Sequence, residues 1–518
     1  MLSRRAFLAA AFALRASAPK GGLALAAAPP DLRRFALRDP RFQSSPFTLG
    51  VASGDPMPDG VVLWTRLAPD PLNGGGMTPE RVAVDWRVAE DDGMRNVVRR
   101  GAIDASPDYA HAVHVEVSGL RPDRPYWYQF DAGGSESVVG RTRTMPADNV
   151  VPQRMRFAFV SCSHFEMGFF TPLGHLADED VSLAFHLGDY IYESAGRNGG
   201  VRRHVGGETR TLDEYRTRYA QYKTDVDLQR VHAAMPFAVT WDDHEVDNDY
   251  AGVFSEEPMP MDMFLLRRAA AYQAYYEHMP LRSSARPRAG AVHLYRRLQY
   301  GRLASFFVLD TRQYRSDQPC GAGPICAGAI DPVTAMLGAE QERWFLKGIR
   351  QSGARWTVVP QQIMMARVDF APGAEERYFT DHWNGYDAAR SRILGQFAAL
   401  PSRNAIVLTG DLHSSWVNDL KLDFADPESP TVATELIGTS ISSGGDGSDL
   451  PDNMKPVLAE NPCVRFYNGQ RGYLTCELTA KQARADFKVV DYVTEPGAPM
   501  RTRASFVVED GRPGAVPA

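Results

Sequence analysis

AIVLTGDLHSS, residues 405–415, is an apolar run that ends in an aspartate and a histidine two positions apart. Side chains alternate between the two faces of a strand, so Asp411 and His413 would project to the same side and could hold a cation together. The alternative is a strand end followed by a helix N-cap, because Ser and Asp are common at that position. This motif alone leaves both interpretations open.

Three other apolar runs also end in potential metal ligands. They are RFAFVSCSHF with Cys162 and His164, AFHLGDYIYE with Asp189 and Tyr192, and FAVTWDDHEVDND with Asp242, Asp243 and His244. In open α/β sheets, ligands bind outside the carboxyl ends of the strands. We therefore predict that the four strand ends meet at one edge and bind metal together.

The residue types at these strand ends point to two kinds of ion. A thiolate from Cys162 favours a transition metal, and the phenol of Tyr192 binds only a strongly Lewis-acidic ion because its pKa must fall far below 10. Asp243 and Asp411 offer oxygen, which suits Ca, Mg or Mn. Asp189 could bridge two cations. We expect a mixed centre, with iron beside one or more harder ions, of the kind that activates water and clamps a phosphoryl oxygen.

The organisation of the chain predicts two structural domains. Residues 40–150 contain short alternating or aromatic-rich runs separated by turn signals, which is typical of a β-sandwich, and SGLRPDRPYWYQF resembles an immunoglobulin or fibronectin III corner around Tyr126 and Tyr128. Residues 151–505 alternate strand-like and helical runs, which indicates a layered α/β or α+β catalytic domain. Residues 506–518 are predicted to be a tail.

The N-terminus and the composition predict where the protein works. SRRAFLAAAFAL, with Arg4 and Arg5, resembles a twin-arginine export signal over residues 1–28, so we expect the translocation machinery as a partner and a periplasmic or secreted location. The alternative is a disordered basic leader. No later stretch is apolar for long enough to anchor the chain in a membrane. A net charge of −6 over 518 residues gives no reason to expect a nucleic-acid partner.

Five cysteines leave one over if the others pair. Cys320 and Cys326 close a short Gly/Pro loop and form a plausible disulfide, and Cys463 and Cys476 are a second possible pair. Cys162 is then free, either as a small core thiol or, as its strand-end position favours, as a metal ligand.

Seven motifs, in order along nearly the whole chain after the leader, resemble those of the alkaline phosphatase D (PhoD-like) family of calcineurin-like metallophosphatases. They are SGDPMPDGVVLWTRL, SCSH, GDYIYE, TWDDHEVDNDYAG, LDTRQYRSDQPC, DHWNGYDAAR and GDLHSSW. The resemblance implies a four-layer α/β (α+β) metallophosphatase sandwich preceded by an all-β, immunoglobulin-like or fibronectin III-like domain.

The resemblance also implies a ligand set. Fe(III) would be held by Cys162, Asp189, Tyr192 and His413, and Ca(II) would be held by Asp189, Asp243 and Asp411. A superfamily histidine that precedes the last motif has no clear equivalent, and Gln361 or Gln362 is expected to fill its place. Asp247, Asn248 and Asp249 are either further calcium ligands or cap and loop residues.

Two residues are predicted to act on the substrate. His244 would stabilise or protonate the leaving oxygen, unless it is a structural histidine at a strand end. Arg216, in the predicted helix TLDEYRTRYAQY, could bind a phosphate through both guanidinium arms, although most of that helix is expected to be a solvated or packing face.

The implied activity is that of an exported phosphomonoesterase, which hydrolyses phosphate esters by in-line attack of a metal-bound hydroxide. The alternative on the same metals is a phosphodiesterase or a phospholipase D-like enzyme. A rival from another class is a binding protein in which the β-sandwich dominates and the metal site is degenerate.

Overall fold

The computed structural model describes residues 36–402 and 404–518, so the predicted leader, residues 1–28, lies outside the described residues. The strands in chain order are β1 (Val51–Met57), β2 (Gly60–Arg66), β3 (Val82–Ala89), β4 (Val97–Ala105), β5 (Ala112–Val117), β6 (Pro125–Ala132), β7 (Ser135–Glu136), β8 (Gly140–Arg143), β9 (Arg154–Val160), β10 (Leu183–His186), β11 (Phe237–Val239), β12 (Arg296–Tyr300), β13 (Ala304–Val308), β14 (Trp356–Pro360), β15 (Ala405–Thr409), β16 (Ser415–Lys421), β17 (Thr431–Ile437), β18 (Gly447–Ser448), β19 (Val464–Gln470), β20 (Gly472–Thr479), β21 (Gln482–Val490), β22 (Met500–Glu509) and β23 (Arg512–Pro517).

The α-helices are α1 (Thr171–Leu176), α2 (Leu212–Lys223), α3 (Val226–Ala234), α4 (Met261–His278), α5 (Gly338–Gln351), α6 (Asp387–Ala398) and α7 (Met454–Glu460), and short 3-10 helices span Pro107–Tyr109, Ser283–Ala285 and Trp383–Tyr386. In the described part of the chain, no helix is both long enough and apolar enough to cross a membrane.

Two mixed sheets carry the predicted ligand strands. The larger has the order β23-β22-β21-β20-β9-β10-β11-β1-β2-β5, and within it β9, β10 and β11 are parallel neighbours. The second has the order β12-β13-β14-β15-β17-β16-β19-β18, with β13, β14, β15 and β17 parallel. The strands that precede the four ligand motifs are therefore three neighbours in one sheet and a central strand of the other.

The two sheets share a core. Phe157 and Phe185 from the larger sheet pack with Phe306, Trp356 and Val358 from the second, and the rings of Phe157 and Phe306 meet edge to face with centroids 5.3 Å apart. The opposite face of the larger sheet packs against α1 to α4, and that of the second against α5 and α6. Strands buried on both faces lose the polar alternation of a half-exposed strand, as the wholly buried ASFFV of β13 shows.

The N-terminal region is not an independent sandwich. β3, β4, β6, β7 and β8 form a separate five-stranded sheet, but β1, β2 and β5 extend the larger sheet, with Gly54 of β1 in parallel register with Phe237 of β11. Both layers contribute to one core cluster, and Tyr126 makes the predicted corner contact, accepting a hydrogen bond at 2.9 Å from the Arg121 N–H. One layer of the expected sandwich is thus continuous with the ligand-bearing sheet, because the parallel pairing with β11 joins them.

The prediction of a tail at residues 506–518 is wrong. β22 runs through to Glu509 and pairs antiparallel with β23, which forms the edge of the larger sheet. Phe506 and Val508 point into the core between the sheets, and so does Ala515. Phe506 and Val508 are buried, whereas Val507 between them is only partly buried, which is the two-residue period of a strand.

Cys320 and Cys326 form a disulfide, as predicted, but Cys463 and Cys476 do not. Cys463 lies just before β19 of the second sheet, whereas Cys476 lies in β20 of the larger sheet and faces the core between them. Both are buried thiols held on different layers.

Candidate metal centre

The four ligand motifs follow their strands at a common edge. Cys162 follows β9, Asp189 follows β10, Asp243 follows β11, and Asp411 follows β15. Backbone hydrogen bonds join the first two loops: the Cys162 N–H donates to the Gly188 carbonyl at 3.1 Å. The Ser163 N–H donates to the Asp189 carbonyl at 2.9 Å.

Gly188 allows the second loop to approach the third. Its φ is +118°, and a Cβ at this position would lie 2.4 Å from the Cβ of Asp242. A side chain there would push the loops of Asp189 and Asp243 apart, so glycine is required where the loops touch.

Cys162, Asp189 and His413 present donor atoms that all lie within 4.8 Å of one another. The Tyr192 hydroxyl donates to Asp189 Oδ2 at 2.9 Å and lies 3.1 Å from His413 Nε2. Ser443 in turn donates to the Tyr192 oxygen at 2.7 Å. These contacts bring the four residues predicted to bind iron around one point.

A second group consists of carboxylates. The oxygens of four aspartates, Asp189, Asp242, Asp243 and Asp411, lie within 4.8 Å of one another. A further group consists of Asp189, Asp243 and His244, whose donor atoms also lie within 4.8 Å of one another. We call Cys162, Asp189, Tyr192, Asp242, Asp243, His244, Asp411 and His413 the metal-ligand cluster. Cys162, Asp189 and Asp243 are buried, whereas Asp411, His413 and His244 are partly exposed, so the cluster opens to solvent on one side.

The backbone at four residues of the cluster is left-handed, not extended. Asp411 and His413 have φ values of 65° and 54°, and Cys162 and Asp189 have 59° and 54°. β15 ends at Thr409, so the prediction that Asp411 and His413 share one face of a strand is wrong; they lie in the loop after it. Non-glycine residues with positive φ are uncommon and strained, and such residues concentrate at functional sites.

Unpaired buried oxygens test whether metal ions fit the cluster. Asp189 Oδ1, Asp242 Oδ2 and Asp243 Oδ1 are buried without a hydrogen-bond partner. Leaving charged oxygens in this state costs free energy unless a cation binds them. The mixed S, O and N donors around Asp189 suit a transition ion, and the all-oxygen set beside it suits a harder one. The residues present therefore fit the predicted centre.

The protonation states agree with a site that needs a cation. Burial and neighbouring carboxylates raise the pKa of Asp189 well above its usual range, and burial with Asp189 and Asp411 does the same to Cys162. Burial lowers the pKa of His413 to about 4, which keeps its ring neutral and able to ligate. Binding of metal must therefore displace protons from the acidic ligands.

Arg312, in LDTRQYR, is a functional residue that sequence reasoning missed. Its side chain is fully buried; Nε donates to Asp242 Oδ1 at 2.5 Å, Nη1 donates to Asp381 at 2.8 Å, and Nη2 lies 3.4 Å from Asp243 Oδ1. Burial opposes ionisation of Asp243, but Arg312 and His244 outweigh it and lower the pKa of that carboxyl. Arg312 is thus a fixed cation on the inner side of the cluster.

Glu245 is a second missed residue. Its buried carboxylate accepts backbone hydrogen bonds from Asp189 at 3.1 Å, Tyr190 at 2.6 Å and Asp242 at 2.8 Å. It therefore ties the second and third ligand loops together. The only sequence signal for Glu245 was its position directly after His244. That signal is weak because acidic residues are common in loops.

His244 faces a carboxylate that was not predicted to act. Its Nδ1 lies 2.7 Å from Glu193 Oε2. Burial disfavours the charged ring, but Glu193, Asp243 and Asp189 outweigh burial and raise the pKa of His244 well above its usual range. His244 is therefore a protonated residue beside the carboxylates.

Arg216 does not join the metal-ligand cluster. Its Nε and Nη2 donate to the two oxygens of Glu277 at 2.7 and 2.6 Å, and Nη1 lies 3.3 Å from Asp213. Helix α2 presents it toward a different cavity, lined also by Arg66 and His111. The prediction that Arg216 binds the substrate phosphate receives no support from these contacts.

Gln361 and Gln362 do not replace the missing histidine. Gln361 donates to the Ile363 carbonyl and to Thr409, and Gln362 accepts from Thr311 and donates to Thr240 and the Leu309 carbonyl. Both amides are fully buried and engaged in joining loops. The histidine next to the cluster is His382, with Nε2 3.3 Å from Asp411 Oδ2.

Two further groups lie near the cluster. Asp247 pairs with Arg267 at 2.9 Å, whereas the Asp249 N–H donates to Asp243 Oδ2 at 2.9 Å. His164, Glu166 and His204 also lie close enough to hold an ion. However, the Tyr222 hydroxyl oxygen accepts hydrogen bonds from two backbone N–H groups, so its own proton is donated to His204 Nε2. His204 Nδ1 then carries the ring proton and donates it to the Ser194 carbonyl. Both nitrogens of His204 are thereby occupied.

Comparison with known proteins identifies relatives over most of the chain. Residues 157–487 match the profile of a family described as PhoD-like phosphatase, and residues 33–146 match the profile of its N-terminal domain. Alkaline phosphatase D of Bacillus subtilis (strain 168) is 48% identical over 482 residues, which is 92% of this chain and 83% of that protein.

The fold agrees with that comparison. A solved structure described as the structure of PhoD superposes with a TM-score of 0.90 and 48% identity, covering 92% of this chain and 93% of the other. A structure of GAP50 from Plasmodium aligns over 68% of this chain at 10% identity with a TM-score of 0.35, which is too low to support an inference.

Proposed function

The chain belongs to the PhoD-like phosphatase family, and we propose that it hydrolyses phosphate monoesters outside the cytoplasm as an alkaline phosphatase D, with iron and calcium in the metal-ligand cluster. The observation that carries the proposal is the meeting of a thiol, a phenol, an imidazole and four carboxylates at one strand edge, with unpaired buried oxygens among them.

In this proposal Cys162, Asp189, Tyr192 and His413 hold Fe(III), while Asp189, Asp243 and Asp411 hold Ca(II). When bound, the ions would supply the positive charge that activates water and offsets the charge developing on the phosphoryl oxygens. The four-layer metallophosphatase sandwich suits this role, because it brings the ends of two sheets to one edge.

The protein's own residues supply the rest of the chemistry. Arg312 fixes Asp242 and Asp243 from the inner side, so the ligand carboxylates are preorganised before substrate arrives. Glu193 orients His244 through Nδ1 and keeps the ring protonated, which leaves Nε2 to give its proton to the leaving alkoxide. The partly exposed His244 therefore lies on the side from which substrate would enter.

Export by the twin-arginine machinery is part of the proposal. Its support is the SRRAFLAAAFAL segment alone, which lies outside the described residues. That pathway carries folded proteins and would suit a protein that acquires its metals inside the cell.

The test combines metal analysis with two chromogenic substrates. Protein purified from the periplasm of a bacterial host should contain iron and calcium, absorb visible light through a Tyr192-to-iron charge transfer band, and hydrolyse para-nitrophenyl phosphate faster than bis-para-nitrophenyl phosphate. Cys162→Ala should lose the iron and the activity together. Zinc alone without colour would overturn the iron assignment, and a faster diester rate would overturn the monoesterase assignment.

A further inference from the structure

A polar cavity of about 380 Å³ lies where the N-terminal region meets α2. Its walls come from the Gly-rich loop after β2, the segment around the 3-10 helix Pro107–Tyr109, and the first turns of α2. Its polar lining includes Arg66, His111, Asp213, Arg216 and Thr217. We call it the Arg66 cavity. It contains no member of the metal-ligand cluster.

Arg66 is a buried cation that contacts only neutral groups. Its side chain is 3% exposed; Nε donates to the Ala110 carbonyl at 2.9 Å, and Nη1 lies 2.7 Å from His278 Nε2. Because His278 Nδ1 lies 2.6 Å from the Ala274 carbonyl and must donate to it, His278 Nε2 is the acceptor and the ring is neutral. In residues 36–402 and 404–518, no carboxylate forms an ion pair with Arg66.

The remaining arm of Arg66 reaches the cavity. Nη2 has no hydrogen-bond partner among the described residues, and it lies beside Gly75, where an added Cβ would come within 3.2 Å of it. Gly75 has a φ of +88°, so glycine both permits the loop and keeps space open in front of Nη2. Nη2 is therefore open to the cavity, where water or the acceptor group of a ligand would receive its hydrogen bonds.

The other charges of the cavity do not compensate Arg66. Arg216 is already neutralised by Glu277, with two contacts of 2.7 and 2.6 Å. Asp213 faces Arg216 from the rim, where its side chain is 91% exposed and screened by water. His111 donates Nε2–H to the Glu80 carbonyl at 2.8 Å, and burial lowers its pKa, so its ring is neutral near pH 7. Among the described residues, Arg66 therefore has no carboxylate within ion-pair distance, and the nearest acids, Glu277 and Asp213, are shared with Arg216.

We propose that the Arg66 cavity binds a small organic anion, whose phosphate or carboxylate group pairs with Arg66 Nη2. A guanidinium presents its donors in a plane that matches both groups. The cavity is larger than a bare oxyanion needs and falls within the size range of small-molecule sites, so the anionic group would carry an organic body that contacts Met77 and Pro107. This site is separate from the metal chemistry and does not rest on it.

Isothermal titration calorimetry of the metal-loaded protein tests the proposal with two probes, inorganic phosphate and glutarate. Binding of glutarate would show that the ligand's anionic group is a carboxylate. Binding of inorganic phosphate that persists in Asp243→Asn, a variant changed at the metal-ligand cluster, would show that the anionic group is a phosphate. Arg66→Gln should weaken binding at this site by about tenfold or more, since a charge-assisted hydrogen bond is lost. The matched control is Arg95→Gln, because Arg95 is 84% exposed in the same region and should leave binding unchanged.

A second variant keeps the proposal testable if Arg66→Gln does not fold. Thr217→Glu places a carboxylate on the cavity wall, where it should substitute for the ligand, abolish binding of both probes and leave phosphatase activity unchanged. The proposal is overturned if neither probe binds outside the metal-ligand cluster, or if Thr217→Glu binds both probes as tightly as the parent protein.

Discussion

In the metal-ligand cluster, four carboxylates come within 4.8 Å of one another and only two of them face Arg312, whereas in the Arg66 cavity a buried guanidinium has only neutral partners. Both regions are buried polar sites that folding leaves with a charge imbalance, and the imbalances have opposite signs. The sign of the uncompensated charge indicates the kind of ligand each region lacks: cations in the first and an anion in the second.

Arg312→Met should change the charge balance of the cluster most severely, because it removes the buried guanidinium that pairs with Asp242 and lies beside Asp243. Asp242 and Asp243 would lose their buried cation, while Asp381 would keep Arg315, and the free energy of unfolding should fall by about 3–5 kcal/mol. Denaturant unfolding measures this. Arg315→Met is the matched control, since Arg315 pairs only with Asp381 and should cost clearly less. Equal losses would mean that Arg312 does not balance the cluster.

Asp189→Asn should have opposite effects with and without metal. In the metal-free protein it removes a repelled carboxylate, so the unfolding temperature should rise; in the metal-loaded protein it removes a ligand, and kcat/KM should fall by about 100-fold or more. Thermal unfolding with and without chelator, combined with kinetics, measures both. A lower unfolding temperature both with and without metal would show that the negative charges of the carboxylates are already compensated in the metal-free protein.

Glu245→Gln should loosen the ligand loops without removing a ligand. The amide can accept fewer of the three backbone N–H groups, and metal affinity should fall by about 10–100-fold, as expected for residues that support ligands. Competition with a chelator measures the affinity. Glu435→Gln is the control, since Glu435 is an equally buried carboxylate that accepts the Met365 and Ala366 N–H groups. Equal loss of affinity in both variants would contradict the loop role of Glu245.

Glu193→Gln should change how the stability of the metal-free protein depends on pH. The pKa of folded His244 is raised, so its stabilising contribution is fully present below the unfolded value of about 6.5 and is lost as pH rises through the higher folded value. Removing the Glu193 charge lowers that folded pKa, so this part of the loss should move to lower pH. Thermal unfolding from about pH 6 to about pH 9 tests it, and identical profiles would contradict it.

Asp213→Asn tests the charge balance of the Arg66 cavity. Asp213 is the one carboxylate on the described wall of the Arg66 cavity, and its removal should strengthen glutarate binding by only about twofold to fivefold, because exposed charges interact weakly. Titration at low and high salt measures this, and the gain should shrink at high salt. A weaker affinity for glutarate would place the anion elsewhere.

The sequence was sufficient to predict that these side chains meet, because each follows an apolar run at a strand end. Cys162, Asp189 and Asp411 could be found from that pattern, and parallel sheets bring such ends together. It could not predict the left-handed backbone at these residues, because the loop contacts that enforce it are tertiary. Gly188 packed on Asp242 is one such contact.

The residues that balance the charges of the metal-ligand cluster could not be predicted from local sequence patterns. Arg312 meets Asp242 across 70 residues of sequence, and no spacing rule connects them. His382 lies beside Asp411, although the sequence pattern did not single it out. The prediction for Arg216 finds no support in its contacts, because a helical arginine has no sequence signature that distinguishes a phosphate contact from a pair with Glu277.

The shared larger sheet determines the order in which the site can be completed during synthesis. β1 pairs with β11 through Gly54 and Phe237, 183 residues apart, while β9 takes its other neighbour from β20 near the C-terminus. The ribosome must therefore release nearly the whole chain before the three ligand strands are flanked on both sides. Such distant pairings fold slowly. Separate expression of the N-terminal region or of the remainder should accordingly yield neither half in its native form.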